Sequence, residues 1–204
     1  MMKLDLKKEL KQLYCPSAKQ PSFVTVSKQT IISVIGQGNP NTSVEFKNAT
    51  EALYSMVYKI KFACKKLNKD FAVMPLEGLW WMDDMRDFSI KNKDLWKWKI
   101  FIVQPNFVTK KMFDTAFEEV KSKKELPALS KLHLETLDES LCAQILYIGA
   151  YKDEGPTIAN LHTFIKENGY AFDGLVQKHH EIYLSDMRKT APKKLRTILR
   201  QPIV

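Results

Sequence analysis

The fold class is indicated first by residues 30–41, TIISVIGQGNPN, where a run rich in β-branched side chains meets a turn of glycine, asparagine and proline. β-branched residues favour strands, and the turn residues end them. The next segment, residues 48–67, repeats apolar residues at helical spacing behind Asn48, the expected N-cap. A strand that passes through a turn into an amphipathic helix indicates mixed α and β structure.

Two further strand signals follow this helix, and the pattern then recurs. Residues 70–81 run from a short strand into the apolar segment PLEGLWW, and residues 96–103 alternate between two faces. The same order of elements returns less clearly over residues 142–185, and we take residues 178–184 as the last strand. We therefore predict an α+β fold with a mostly antiparallel sheet and an internal duplication.

The boundaries follow from the same pattern. We predict a single domain over residues 1–204, with a helical N-terminal extension at residues 1–20. Residues 187–204 are rich in lysine and arginine and contain two prolines, so we predict a basic C-terminal tail.

Composition places the chain among globular proteins. It has 204 residues, 45% of them hydrophobic and 27% charged, and no apolar run approaches the roughly 20 residues of a membrane helix. The first nine residues lack the apolar core of a secretory signal, and the three cysteines are far apart. We therefore expect a cytoplasmic protein with reduced thiols and no membrane partner.

The net charge of +9 belongs to the two ends of the chain. Residues 1–28 have six lysines against two acidic residues, residues 178–204 have seven basic residues against two acidic ones, and the middle is neutral. Basic ends are usually solvated, and no helix-turn-helix, RNP or zinc-finger spacing accompanies them. The sequence therefore does not favour nucleic acid as a partner.

Aromatic residues gather around one carboxylate. All four tryptophans lie between residues 80 and 98, and Trp80 and Trp81 follow closely after Glu77. Neighbours in a strand point to opposite faces, so one of this pair can pack in the core while the other faces a cavity. Tyr58 borders the buried stripe of the long helix and suits either a cavity or the core.

A second carboxylate lies in the strand predicted at residues 178–184. His179, Glu181 and Tyr183 share one face, whereas His180 and Ile182 share the other, which we assign to the helix-covered side. A solvated edge is the ordinary explanation of such a pattern. Aromatic walls with one or two carboxylates instead form a site for flat, cationic or electrophilic ligands. Adjacent histidines of a strand point apart, so we predict no metal site.

Four motifs resemble the GyrI-like small-molecule-binding family, which is related to effector-binding domains of AraC- and MerR-type regulators. They are PLEGLWW (75–81), QPNFVT (104–109), YIGAYKDE (147–154) and HHEIYLSD (179–186). The resemblance implies two pseudo-symmetric strand–helix–strand–strand modules, with helices on one side of the sheet and a ligand cleft between the modules. Ala150 and Met187 stand where relatives usually have proline.

The branch of this family with the PLEGLWW run includes enzymes that hydrolyse the cyclopropane ring of DNA-alkylating natural products. The resemblance implies Glu77 and Glu181 as the catalytic carboxylates and leaves open which of them is the base. The expected ligand-binding residues are Trp80, Trp81, Trp98, Tyr58, Tyr151, Tyr183 and His179.

No cofactor is implied, and the expected partners are planar hydrophobic or cationic small molecules. One alternative is a non-catalytic drug-binding sensor or sequestering protein. The other is a topoisomerase-modulating interaction protein that uses the basic tail.

Overall fold

Eight strands form one curled antiparallel sheet in the computed structural model, which describes residues 3–85, 90–174 and 176–204. The strands are β1 (Ser22–Val26), β2 (Gln29–Gln37), β3 (Leu76–Trp81), β4 (Lys97–Gln104), β5 (His133–Leu137), β6 (Ser140–Ile148), β7 (His179–Tyr183) and β8 (Arg196–Pro202). The helices of the described residues are α1 (Leu6–Glu9), α2 (Lys11–Tyr14), α3 (Val44–Lys66), α4 (Lys110–Lys121) and α5 (Gly155–Glu167). The predicted α+β class is confirmed.

Six of the eight strands belong to two strand–helix–strand–strand units, and β1 and β5 form the edges of the strand order. One unit is β2-α3-β3-β4 and the other is β6-α5-β7-β8. The order of strands is β1-β6-β8-β7-β3-β4-β2-β5, so the units meet where β3 pairs with β7. The duplication suggested by the sequence is therefore present in the topology.

Short connections force the sheet to curl. Only Ser27 and Lys28 join β1 to β2, yet β1 lies at one edge of the strand order and β2 lies next to the other edge. A link of this length spans about 10 Å, so the two edges must approach each other. The connection between β5 and β6 is equally short and acts in the same way. The curl gives the sheet a concave face and an outer face.

The predicted basic tail is wrong for residues 196–202. These residues form β8, which lies between β6 and β7 near the middle of the sheet, and its Arg200 and Gln201 are completely buried. The Arg200 guanidinium donates to the side-chain oxygen of Gln144 and to the backbone carbonyl of Leu13, which satisfies most of its donors. A buried arginine and a terminal proline gave this strand the composition of a solvated tail.

The long helix α3 begins at Val44, and its N-cap residue is Ser43, five residues before the predicted N-cap Asn48. The Ser43 hydroxyl accepts a hydrogen bond from the N–H of Phe46 at 3.2 Å and caps the helix there. This places Phe46 in the first turn, where its ring packs against Trp80 and Trp98 at centroid distances of 6.0 and 5.1 Å.

Helices α3 and α5 cover the outer face, which is also the face of His179, Glu181 and Tyr183. Phe46 of α3 contacts Trp80, which is the cross-strand partner of His179. The assignment of His180 and Ile182 to the helix-covered side is therefore wrong. They face the concave side, opposite to α3 and α5, where Tyr14 donates to Glu77 and the backbone carbonyl of Leu13 accepts from Arg200. Among the described residues no helix has the length and apolar character needed to cross a membrane.

Candidate functional site

The candidate site lies on the outer face where the two units meet, and we call it the seam site. The register of β3 and β7 pairs Gly78 with Glu181, Trp80 with His179, and Leu76 with Tyr183. Paired residues of antiparallel strands project to the same face, so these side chains share one surface. His179, Glu181 and Tyr183 thus lie on one face, and Trp80 is the member of the tryptophan pair that shares it.

An aromatic wall borders the seam site. The indole Nε1–H of Trp80 donates to the Tyr183 hydroxyl at 2.9 Å, and the Tyr151 ring meets the Tyr183 ring edge to face at 5.7 Å. A Cβ on Gly78 would approach Trp80 Nε1 to 2.9 Å, so only glycine leaves room for the indole in this position. The position of Trp80 in the wall therefore depends on its hydrogen bond to Tyr183 and on the absence of a side chain at Gly78.

Two carboxyl groups converge beside this wall. Glu181 is buried on β7, and Glu154, the N-cap residue of α5, lies near enough for the charge of Glu181 to raise its pKa. Burial and the neighbouring Glu181 raise the pKa of Glu154 to about 9, although Lys93 partly opposes this shift. At neutral pH the pair therefore consists of one neutral acid and one carboxylate, because two adjacent carboxylates repel each other.

Glu181 is the ionised member of the pair. Burial, the largest influence, pushes its pKa up, but the neighbouring His179, Tyr183 and Glu154 outweigh it and leave the pKa below its usual value. The Nε2 atom of His179 lies 3.3 Å from Glu181 Oε1. Burial and, next to it, the charge of Glu181 raise the pKa of Tyr151 to about 12, so this phenol remains a proton donor.

Sequence reasoning missed Glu154. It is the last residue of the YIGAYKDE motif, and the only available signal was an acidic residue directly before the Gly-Pro start of a helix. An acidic residue at that position is ordinarily explained by the helix dipole. Its approach to Glu181, 27 residues away along the chain, depends on the packing of α5 against the sheet.

Glu77 lies on the concave side, away from Glu181. It is completely buried, accepts a hydrogen bond from the Tyr14 hydroxyl at 3.0 Å and lies 3.0 Å from His180 Nε2. The other ring nitrogen of His180 lies 2.9 Å from Glu139. Burial opposes protonation of His180, but Glu139 and Glu77 outweigh it and raise its pKa to about 9. Glu77 thus belongs to a buried ion network beneath the sheet.

Three other predicted residues lie outside the seam site. Trp98 shares the outer face but is completely buried beneath α3, where its ring fills the space above Gly36. Trp81 is directed to the opposite face from Trp80, and Lys178 Nζ lies 5.1 Å from its ring centroid. Tyr58 is 45% exposed on α3, stacked between two other rings of that helix.

Chemically, the seam site offers a carboxylate, a neutral carboxylic acid, phenol hydroxyls and flat aromatic surfaces. Across residues 3–85, 90–174 and 176–204, no three histidine, cysteine or acidic side chains are grouped as a metal site requires. The arrangement suits acid–base chemistry on a planar ligand.

Comparison with known proteins gives a consistent result. The GyrI-like small-molecule-binding domain matches residues 19–204. Among solved structures, a conserved protein from Listeria innocua is 37% identical with a TM-score of 0.92, over 99% of this chain and 100% of that one. A hydrolase from the same organism is 35% identical with a TM-score of 0.89, over 100% of both chains.

A more distant structure shares the fold alone. The C-terminal domain of EcmrR is 12% identical with a TM-score of 0.57, over 91% of this chain and 97% of that one. A search of curated protein sequences finds no match.

Proposed function

The chain belongs to the GyrI-like small-molecule-binding domain family, and from that premise we propose that the seam site binds flat electrophilic molecules and hydrolyses their cyclopropane ring. The observation that carries this proposal is the carboxyl pair, in which Glu181 is ionised and Glu154 is protonated beside an aromatic wall. Similar proteins of Listeria innocua that are described as hydrolases support a hydrolytic activity.

Glu181 acts as the base. A cyclopropane conjugated to a carbonyl is strained, so water can attack a ring carbon while the bond from that carbon to the conjugated carbon breaks. The electron pair of that bond moves through the conjugated system to the carbonyl oxygen, and the water proton passes to the Glu181 carboxylate. Such general-base assistance contributes about 10²–10⁴-fold to the rate.

Glu154 acts on the other side of the reaction. The carbonyl oxygen gains negative charge as the ring opens, and the neutral Glu154 carboxyl can donate its proton there. Tyr151 remains protonated at neutral pH and can stabilise the same oxygen by a hydrogen bond. The environment thus assigns the acid and base roles by separating the two carboxyl pKa values.

The aromatic wall orients the ligand. Trp80, Tyr151 and Tyr183 present rings beside the carboxyl pair, and their faces favour positive charge that develops at the attacked carbon. Holding the ring carbon close to an oriented water is worth several kcal/mol in intramolecular comparisons, on the order of 7–11 at best.

The direct test is product analysis with a spirocyclopropyl cyclohexadienone in water labelled with ¹⁸O. We expect an opened phenol product that carries one labelled hydroxyl on the former ring carbon. If the compound binds, as judged by tryptophan fluorescence, and is recovered intact at the rate seen without protein, the hydrolase proposal is wrong.

A non-catalytic drug-binding protein is the second candidate. The charge of buried Glu181 next to aromatic rings suits a delocalised organic cation, which binds through charge and ring faces without reacting. Tight binding of planar cations without turnover of any cyclopropane would favour this function. The interaction-protein alternative has no such support, because much of the expected tail is strand β8.

A further inference from the structure

A line of three side chains extends from Glu181 to the protein surface. His179 Nε2 lies 3.3 Å from Glu181 Oε1, and the Gln201 side-chain nitrogen lies 3.2 Å from His179 Nδ1. The same nitrogen of Gln201 lies 2.8 Å from His162 Nε2. His179 and Gln201 are buried, whereas His162 lies on the exposed side of α5. Strands β7 and β8 and helix α5 thus each contribute one member.

With the amide nitrogen of Gln201 between the two rings, the proton positions along this line follow from the number of donors and acceptors. An amide nitrogen has two hydrogens and no lone pair, so Gln201 can donate one hydrogen to each histidine ring. Both ring nitrogens that it meets must then be unprotonated acceptors. His179 consequently carries its proton on Nε2, the nitrogen that faces the Glu181 carboxylate.

His162 supports this arrangement from outside. Desolvation of the ring where it meets Gln201 and Phe172, together with the neighbouring His179, lowers the pKa of His162, although much of the residue is exposed. Its ring is therefore neutral at physiological pH, and Nε2 can accept the amide hydrogen. An acceptor on His162 holds the amide with its nitrogen between the two rings. In the reverse orientation the amide oxygen would accept a proton from His179 Nδ1, which would leave an unprotonated Nε2 of a neutral ring facing the Glu181 carboxylate, and the two would repel each other.

We propose that Gln201, held by His162, is a positioning residue that keeps His179 in the tautomer with its proton on Nε2, so that His179 donates to Glu181. The role in the reaction rests on the proposed hydrolase function, whereas the tautomer itself does not. The hydrogen bond to Oε1 stabilises the ionised form of Glu181, which is the form that can accept the proton of the attacking water.

Histidine ring ¹⁵N shifts measured by NMR test the proposal without any substrate. We expect His179 to show a protonated Nε2 and an unprotonated Nδ1 at neutral pH. Gln201→Glu should reverse the tautomer, because a carboxylate accepts from Nδ1–H and cannot donate to it. A wild-type His179 with its proton on Nδ1, or on both nitrogens, would overturn the proposal.

Variants of His162 provide a readout that does not threaten folding, since this residue is exposed. His162→Gln keeps an acceptor oxygen near the amide and should retain the His179 tautomer, whereas His162→Leu should give a mixture of the two. With the spirocyclopropyl probe, His162→Leu should lower kcat about threefold to tenfold and leave KM unchanged.

The outcomes separate the two proposals. The expected tautomer in a protein that never opens the cyclopropane would leave the positioning role intact and reject the hydrolase. Normal turnover with no tautomer change in Gln201→Glu or His162→Leu would reject the positioning role alone.

Discussion

At the scale of single residues, the chemistry depends on two carboxyl groups with opposite protonation. Glu154 and Glu181 are near each other, yet burial and mutual repulsion raise the pKa of one while hydrogen bonds lower that of the other. A pair of titratable groups whose pKa values are driven apart can supply an acid and a base at one pH.

We expect Glu181→Gln and Glu154→Gln each to lower kcat for the spirocyclopropyl probe at least about tenfold, or about 1.4 kcal/mol in activation free energy. Glutamine retains the shape and much of the hydrogen bonding in both positions, so the affinity for an unreactive planar ligand should change little with Glu154→Gln. Stopped assays of phenol formation measure kcat.

Glu77→Gln is the matched control for these substitutions. Glu77 accepts from Tyr14 and meets His180 on the concave side, so its substitution should lower the melting temperature and leave kcat of the folded fraction near wild type. A large fall in kcat in a thermally stable Glu77→Gln protein would contradict this assignment.

The pH dependence of kcat follows from the same pair. The pKa of Glu154 is about 9, so the acid should be lost and kcat should fall as the pH rises through about 9. On the acid side, kcat should fall where Glu181 becomes protonated, below the usual range of a carboxyl group. An alkaline limb that persists unchanged in Glu154→Gln would show that another group is the acid.

At the scale of elements, strand β3 separates two functions between its faces. Trp80 is 3% exposed on the outer face and bonds to Tyr183, whereas Trp81 is half-buried on the opposite face. These two adjacent tryptophans therefore have different surroundings, and substitution of each should have a different effect.

We expect Trp80→Ala to lower the free energy of unfolding by about 3–5 kcal/mol, because it removes a buried ring. It should also weaken the binding of planar ligands, because that ring belongs to the seam site. Trp81→Ala should cost less and leave ligand affinity within about twofold. Chemical denaturation and ligand titration measure the two effects. If Trp81→Ala weakens ligand binding more than Trp80→Ala does, the ligand binds on the face opposite to the seam site.

At the scale of the whole molecule, a buried ion network joins segments that are distant in the sequence. The network lies on the concave side and consists of Tyr14 of α2, Glu77 of β3, Glu139 just before β6, His180 of β7 and Arg200 of β8. Removal of one partner of such a network leaves an uncompensated buried charge, which typically costs about 3–5 kcal/mol.

The network predicts how stability depends on pH. The pKa of folded His180 is about 9, above the roughly 6.5 of an unfolded histidine. Its contribution, on the order of 3 kcal/mol, is therefore fully present below about pH 6.5 and is lost as the pH rises through about 9. Melting temperatures across this range should fall steadily with pH.

Glu154 contributes in the same direction, since its folded pKa is also raised. The measurement is therefore made in Glu154→Gln, and His180→Gln is added to that background as the control. A slope between about pH 6.5 and 9 that is the same with and without His180 would contradict the assignment.

The sequence by itself determined the local part of this structure. Alternation along β7 placed His179, Glu181 and Tyr183 on one face, and helical spacing identified most of α3, because both patterns depend only on backbone geometry within one element. Alternation could also have separated Glu77 from Trp80, which are three residues apart in one strand. The resemblance, carried by four motifs, supplied the family.

Only the tertiary structure decided which groups meet. The register that sets Gly78 opposite Glu181 and the packing that brings Glu154 to Glu181 depend on contacts between distant segments. The placement of β8 has the same origin, since Arg200 is tolerated in the core only because Gln144 and the backbone of Leu13 accept its hydrogen bonds. Burial, charge pairing and pKa are properties of such long-range neighbours, and no local pattern encodes them.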